Sequence, residues 1–285
     1  MSESEVIVLL ASMFFTFKFI ISWYKPITTN NSLRNNVLPR VILGILPVIS
    51  FSIIWYTLKE LASFDVVSDN TYIMFYLLLG FTWIFISLKL LFYFFDLSWI
   101  DDVLSLNNMA ALATMTGGFL AITIIYSGAN IGDGPGWWTV FIAGGLGLGA
   151  FIVLALFVHR FTFIFERITV ERDVACGIRF GFYLLASGLI LGRASAGDWT
   201  SFSQTIVEFF VGWPVLVVTS LALLVEVYYI NKAKDHKDIT RNSLIVSLVW
   251  GILYLMIAVV SLSLYPLPQN LIYDSELIGL IGGVL

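Results

Sequence analysis

The stretch NNMAALATMTGGFLAITIIYSGA, residues 107–129, runs for 23 positions without a charged side chain. A helix needs about 20 predominantly apolar residues to cross the hydrocarbon core of a bilayer, and helices buried in soluble proteins rarely reach that length without charges. Similar runs fill the rest of the chain, whose 285 residues are 59% hydrophobic and only 12% charged. A single soluble core could not hide so much apolar surface. The sequence therefore predicts an all-α polytopic membrane helix bundle.

Eight apolar runs are long enough to span a membrane. They predict membrane helices at about 6–24, 41–58, 72–95, 108–129, 137–158, 174–193, 205–230 and 244–265. Seven spans and a re-entrant tail are a less favoured alternative. The ending ELIGLIGGVL, residues 276–285, is apolar but too short to span. We therefore expect a short tail at the membrane interface.

Basic residues concentrate in every second loop between the predicted spans. By the positive-inside rule these loops face the cytoplasm, so eight spans place both termini on the extracytoplasmic side. The third loop, 96–107, is acidic and lacks basic residues, but acids weigh little in this rule. Only Lys59 and Arg193 lie in loops on the opposite side. The ten basic loop residues on the predicted cytoplasmic side are Lys25, Arg34, Arg40, Arg160, Arg167, Arg172, Lys232, Lys234, Lys237 and Arg241.

The ends of the predicted cytoplasmic loops resemble one another. Each has Asn or Asp just before a new apolar run, and these residues make good helix N-caps. A glycine follows eight or nine positions later, where it lets a neighbouring helix approach closely. We therefore predict four helical hairpins in parallel orientation: 1–70, 71–135, 136–200 and 201–285, the last with the interfacial tail. The matched residues are Asn36, Asn108, Asp173 and Asn242, then Gly44, Gly117, Gly181 and Gly251.

Two of these hairpins resemble a known family. The segments NNMAALATMTGGFLAITIIYSGANIGDG, 107–134, and ERDVACGIRFGFYLLASGLILGRASAGDW, 171–199, each place Asn or Asp before an Ala-rich helix that ends in Gly-Asp. This pattern resembles domain-of-unknown-function family number 350, the YjfL-like bacterial inner-membrane proteins, in tandem copies over roughly 70–230. Arg179 and Cys176 depart from its Ala-rich helix, and Asn108 lacks the preceding acid. The resemblance implies a protein of the bacterial inner membrane, linked to envelope stress or to polyamine-related operons, without catalytic residues.

Charged residues remain inside the predicted spans. A charge at the bilayer centre costs at least about 2.5–3.5 kcal/mol, so each needs a partner or water. Arg179 and Glu226 lie at matched depth on neighbouring antiparallel spans, which makes a direct pair feasible. The pair is either a buried ion pair that orients helices or a site for a proton or small cation. Glu208 is expected at the interface.

Three further charges are predicted near the cytoplasmic ends of their spans. Lys18 and Lys89 lie about seven residues inside, so they either snorkel to the interface or line the inner mouth of an ion path. His159 ends the fifth span, where it either pairs with a nearby acid or senses pH. We predict Lys18, Lys89 and His159 as inner-mouth charges.

Small residues and prolines mark other points in the spans. Gly145 and Gly149 have GxxxG spacing, which predicts a close helix contact within the chain or across a dimer. Pro47 and Pro214 fall inside predicted spans and favour structural kinks.

Several function classes are disfavoured by composition. The net charge of −4 and the lack of a basic arm argue against nucleic acid. One cysteine excludes an internal disulfide, and two histidines are too few for a haem or a His-rich metal site. The sequence lacks a recognisable catalytic motif, so we predict no enzyme, no catalytic residues, no metal and no cofactor.

The leading hypothesis is a multi-pass protein of the bacterial inner membrane that conducts or transports a small cation or a proton. The alternative is a membrane scaffold or envelope-stress component that does not transport. Expected partners are the lipid bilayer and either a second copy of the chain or another membrane protein.

Overall fold

The structure is a computed structural model that describes residues 1–29, 37–235 and 240–268, with all side chains except those of 232–243. Eight helices in these ranges are long and apolar enough to cross a membrane, which confirms the all-α polytopic bundle. Short helices α3, α7 and α9, a π-helix at Trp99–Ser105 and a 3-10 turn at Phe210–Gly212 lie between them. The helices are α1 (Glu3–Thr29), α2 (Val37–Glu60), α3 (Phe64–Ser68), α4 (Asn70–Phe95), α5 (Met109–Ala129), α6 (Trp137–Thr162), α7 (Ile164–Thr169), α8 (Val174–Ala194), α9 (Phe202–Phe209), α10 (Pro214–Asp235) and α11 (Thr240–Leu264).

The eight long helices form two layers. Neighbours in one layer are α2, α5, α8 and α11, and neighbours in the other are α1, α4, α6 and α10. Helices α8 and α11 run parallel, because Arg179 bonds Ser247 near their beginnings and Arg193 bonds Tyr265 near their ends. The end of the bundle where α5 and α8 begin carries Arg160, Arg167 and Arg172, and we call it the basic end. That this end faces the cytoplasm remains a prediction.

Helices α5 and α8 pack with their backbones in contact. A Cβ on Gly117 would overlap the carbonyl oxygen of Gly181, and a Cβ on Gly128 would overlap that of Gly192. The contacts advance together along both helices, so the pair is parallel. Small residues permit this approach because van der Waals contact between backbones stabilises membrane helix pairs. This pair forms the centre of its layer.

The glycines singled out for packing, Gly145 and Gly149, lie on the outer face of α6. A Cβ built on either meets nothing within 4 Å. The predicted contact within the chain is therefore wrong for the described residues, because both glycines point away from the bundle. Their neighbours Gly144 and Gly147 make the close contacts instead, against Trp83 and Ser195. A contact between chains remains a prediction.

The seventh span is shorter than predicted. Instead of one helix over 205–230, the chain forms α9, a 3-10 turn and then α10, which starts at Pro214. Proline fits the first turn of a helix because its missing N–H would have no partner there. The prediction of Pro214 as a kink inside a span is therefore wrong, whereas Pro47 does lie inside α2.

Candidate functional site

The two charges predicted to pair are in direct contact inside the bundle. Arg179 Nε donates to Glu226 Oε1 at 2.5 Å, and Arg179 Nη2 donates to Glu226 Oε2 at 2.9 Å. Each residue is only 2% exposed. A bidentate guanidinium–carboxylate contact is among the strongest hydrogen-bonded arrangements in proteins. The matched depth of the two side chains follows from antiparallel α8 and α10, which also meet where Tyr183 and Thr219 bond.

The rest of the Arg179 guanidinium is held from two other directions. Nη1 donates to Ser247 Oγ on α11 at 2.7 Å. The ring of Tyr229 on α10 lies 4.1 Å from the guanidinium carbon, at cation–π distance. Partners on two helices, α10 and α11, therefore fix the Arg179 side chain, which gives Glu226 a partner with a defined geometry.

A second arginine reaches the same carboxylate from the loop at the basic end. Arg167 on α7 donates from Nη1 to Glu226 Oε2 at 2.7 Å and from Nη2 to Asp173 Oδ2 at 3.0 Å. Burial lowers the pKa of Arg167, but its interactions with neighbouring groups, Glu226 and Asp173 among them, together raise it above the ordinary value. We call Arg167, Asp173, Arg179 and Glu226 the arginine–glutamate network. Its two positive and two negative groups balance.

Sequence reasoning placed Arg167 among the loop charges and missed its role. The position of Arg167 in the sequence gives no indication that its side chain faces the interior of the bundle. It reaches the network because Phe163 takes a left-handed conformation, φ 49°, where α6 ends, and the short helix α7 then folds back under the bundle. Asp173 caps α8 by accepting from Cys176 N at 3.0 Å, as its predicted capping role requires. The same carboxylate therefore holds the helix start and Arg167.

The only cysteine lies beside the network. Cys176 is fully buried, and its Sγ is 3.7 Å from Glu226 Oε2. A thiol is a weak hydrogen-bond donor, so this contact adds little to the network. Because Cys176 lies beside Glu226, the rate at which its thiol reacts with an added reagent reports how accessible Glu226 is from the basic end.

Hydroxyl groups continue from the network toward the opposite end of the bundle. On α8, Tyr183 and Ser187 follow Arg179 at intervals of four residues, which places all three on one helix face. The Tyr183 hydroxyl and Thr219 Oγ1 on α10 are 3.1 Å apart. Tyr254 on α11 adds a further buried hydroxyl. Sequence reasoning named none of these residues, although their helical spacing is visible.

The other end of the bundle holds a polar cavity of about 330 Å³. Among the described residues, its wall contains five carboxylate side chains and no Lys or Arg. Two hydrogen bonds join the loops that form its wall: Asp133 N donates to Asp198 Oδ1 at 2.8 Å, and Trp199 N donates to Asp133 O at 2.7 Å. Burial raises the pKa of Asp133, and the neighbouring charge of Asp198 raises it further. The five acids are Glu5, Asp65, Asp133, Asp198 and Glu208.

The three predicted inner-mouth charges do not join the network. Lys18 is exposed on α1, and Lys89 is exposed on α4 with its Nζ 4.4 Å from the centre of the Phe85 ring. His159 stacks on Phe165 at 4.1 Å between ring centres, and its Nδ1 lies 3.5 Å from Glu166 Oε2. The pairing of His159 with a nearby acid is therefore present. A role for the three residues at an ion path remains a prediction.

Within the described residues, no group of three or more His, Cys, Asp or Glu side chains has a geometry that could hold a metal ion. The chain matches no family model, no curated protein and no solved structure. The network and the cavity are therefore interpreted from their own chemistry.

Proposed function

We propose that this integral membrane protein moves protons, or another small cation, across the bilayer through the interface of α8, α10 and α11. The observation that carries the proposal is Glu226, a carboxylate that is 2% exposed within a predicted span and contacts two arginines. Ionisable residues at such depth are costly and mark ion or proton pathways in many membrane proteins.

Several features support this route. The hydroxyls of Tyr183 and Ser187 continue the polar face of α8 beyond Arg179, and Ser195 at the end of α8 lines the acidic cavity. A cavity walled by carboxylates attracts cations at the opposite end of the bundle from the arginines. In this proposal Glu226 exchanges its arginine partners for a proton during each cycle, and Arg167 and Arg179 stabilise the charged state.

The test is a flux assay in proteoliposomes that contain a pH-sensitive dye and are driven by a potassium diffusion potential. We expect Glu226→Gln to abolish the flux, because the amide cannot bind and release a proton. Glu60→Gln is the matched control, since Glu60 is an exposed carboxylate at the end of α2. Absence of proton flux in the wild type, or proton flux that survives in Glu226→Gln, would exclude proton movement through Glu226.

For localisation we propose the inner membrane of a bacterium, with the basic end on the cytoplasmic side and both termini outside. The basic residues of the loops support this orientation. A cysteine added after Met1 in a Cys176→Ala background should react with an impermeant maleimide in spheroplasts. Reaction only after lysis would reverse the orientation.

The second candidate is a scaffold or envelope-stress component that binds a membrane partner, in line with the resemblance of 107–134 and 171–199 to domain-of-unknown-function family number 350. The open faces of Gly145 and Gly149 favour it, because nothing within the described chain fills the space beside them. A scaffold predicts that Gly145→Leu abolishes a complex in native mass spectra of nanodiscs, whereas Glu226→Gln preserves it. Proton flux that depends on Glu226 would favour the first candidate.

A further inference from the structure

Two hydroxyl groups in the α8–α10–α11 interface are buried without a hydrogen-bond partner among the described residues. They are Tyr254 OH and Ser187 Oγ, on side chains that are each 1% exposed. Burying a hydroxyl without a hydrogen bond is unfavourable, and folded proteins commonly satisfy such groups with ordered water. Another hydroxyl of the interface, that of Tyr183, does have a partner in Thr219.

Tyr254 lies on α11, in the same helix interface as the arginine–glutamate network and the Tyr183–Thr219 pair. It is close enough to Glu226, Arg179 and Tyr183 to interact electrostatically with each of them. Ser247 accepts a hydrogen bond from Arg179. Tyr254 lies seven residues after Ser247 on α11, which corresponds to about 10 Å along the helix. Helical side chains lean toward the helix N-terminus, so the Tyr254 ring leans back toward the arginine.

We propose that internal water binds beside the Tyr254 hydroxyl and connects the arginine–glutamate network with Tyr183, Thr219 and Ser187. The site is polar on several sides, as a buried water requires, because a water molecule makes two to four hydrogen bonds. The binding of water follows from the unpartnered hydroxyls alone. Its use as a proton relay rests on the proposed function.

As a relay, the chain of hydroxyls and water transfers protons by exchange. The bound water gives one proton to the Glu226 carboxylate and takes one from the Tyr254 hydroxyl, which is replenished from the next water or hydroxyl toward Tyr183. Each relay oxygen between the donor and Glu226 loses one proton and gains one, and the Glu226 carboxylate gains one, so only O–H bonds change and nothing is oxidised or reduced. Release of the proton from Glu226 toward the basic end completes the transfer and restores the ion pair of Glu226 with Arg179.

The water site is tested by X-ray hydroxyl-radical footprinting of the whole chain in nanodiscs, read by mass spectrometry. Radiolysis of bound water modifies an adjacent tyrosine even when its ring is buried. Tyr126 is the matched control, since it is 0% exposed and its hydroxyl donates to Tyr76 O at 2.5 Å. We expect Tyr254 to be modified at least fivefold faster than Tyr126. Equal slow rates would overturn the water site.

The relay is tested by flux in the same proteoliposomes. We expect Tyr254→Phe to reduce proton flux at least tenfold, because the ring remains and the exchangeable proton is lost. Tyr93→Phe is the control, since Tyr93 is 80% exposed on the outside of α4. Normal flux in Tyr254→Phe, with flux lost in Glu226→Gln, would overturn the relay and leave the proposed function intact. Wild-type vesicles without flux would overturn proton passage in both proposals, and footprinting would still decide the water site.

Discussion

Arg167 and Arg179 donate to the same oxygen, Oε2 of Glu226, at 2.7 Å and 2.9 Å. One arginine comes from a short helix outside the predicted spans and the other from inside α8, so the carboxylate joins the loop at the basic end to the interior of the bundle. Arg179 also binds Oε1, which leaves the carboxylate with three guanidinium hydrogen bonds. Such a network stabilises the fold only while it is complete, because a single deletion leaves a buried charge without its partner.

Removing the carboxylate should therefore destabilise the protein more than removing both members of the pair. We expect Glu226→Gln to lower the free energy of unfolding by about 3–5 kcal/mol, since Arg179 stays charged and buried. The double variant Arg179→Met with Glu226→Met should lose less stability than Glu226→Met alone, and therefore less than the sum of the losses in Arg179→Met and Glu226→Met. Steric trapping in bicelles measures these values. Additive losses would show that the two side chains do not depend on each other.

Arg167 should control access to Glu226 from the basic end. Arg167→Gln removes the guanidinium that joins α7 to Glu226 and Asp173, and we expect Cys176 to react with a small maleimide at least fivefold faster. Arg172→Gln is the control, because Arg172 is exposed in the same loop. The rate of Cys176 labelling in nanodiscs, measured as the increase in protein mass, compares the two variants. Equal rates in the two variants would mean that Arg167 does not shield the site.

The contact of Arg179 with Glu226 could be predicted because helix geometry converts sequence position into depth. Each residue advances about 1.5 Å, so two side chains at equal distances from the same membrane face meet when their antiparallel helices are neighbours. Arg167 could not be found this way, because its position depends on the turn at Phe163 and on how α7 folds back. Loop paths carry no comparable periodic signal.

The sequence also does not predict how each helix is rotated about its own axis. A helix that is apolar on all sides gives no sign of which face packs inward. Gly145 and Gly149 were therefore assigned to a contact that Gly144 and Gly147 make in the described chain. The eight spans themselves, by contrast, follow from length and hydropathy alone. The largest difference is at the seventh, whose predicted start at 205 lies nine residues before the observed start at Pro214.

The glycines of the α5–α8 contact should tolerate substitution least. A methyl group on Gly117 would overlap backbone of α8 rather than a side chain that can move, so we expect Gly117→Ala to cost at least about 1–3 kcal/mol. Gly145→Ala should be neutral or slightly stabilising, since its Cβ meets nothing within 4 Å and Ala favours a helix. Thermal unfolding of the purified variants compares them. A Gly117→Ala variant as stable as Gly145→Ala would contradict the backbone contact.

Asp133 should make stability depend on pH at the acidic cavity. Burial and Asp198 raise the pKa of Asp133 in the folded protein, so its ionised form opposes folding. We therefore expect Asp133→Asn to raise Tm at pH 7. This gain should shrink as pH falls through the raised pKa and vanish below about 3.9, where the unfolded chain is also protonated. The opposite effect on stability is expected at Asp69, because a hydrogen bond from Thr71 N lowers the pKa of its carboxyl group. Asp69→Asn should lower Tm at pH 7, and a Tm that falls in both variants would contradict the pKa shift of Asp133.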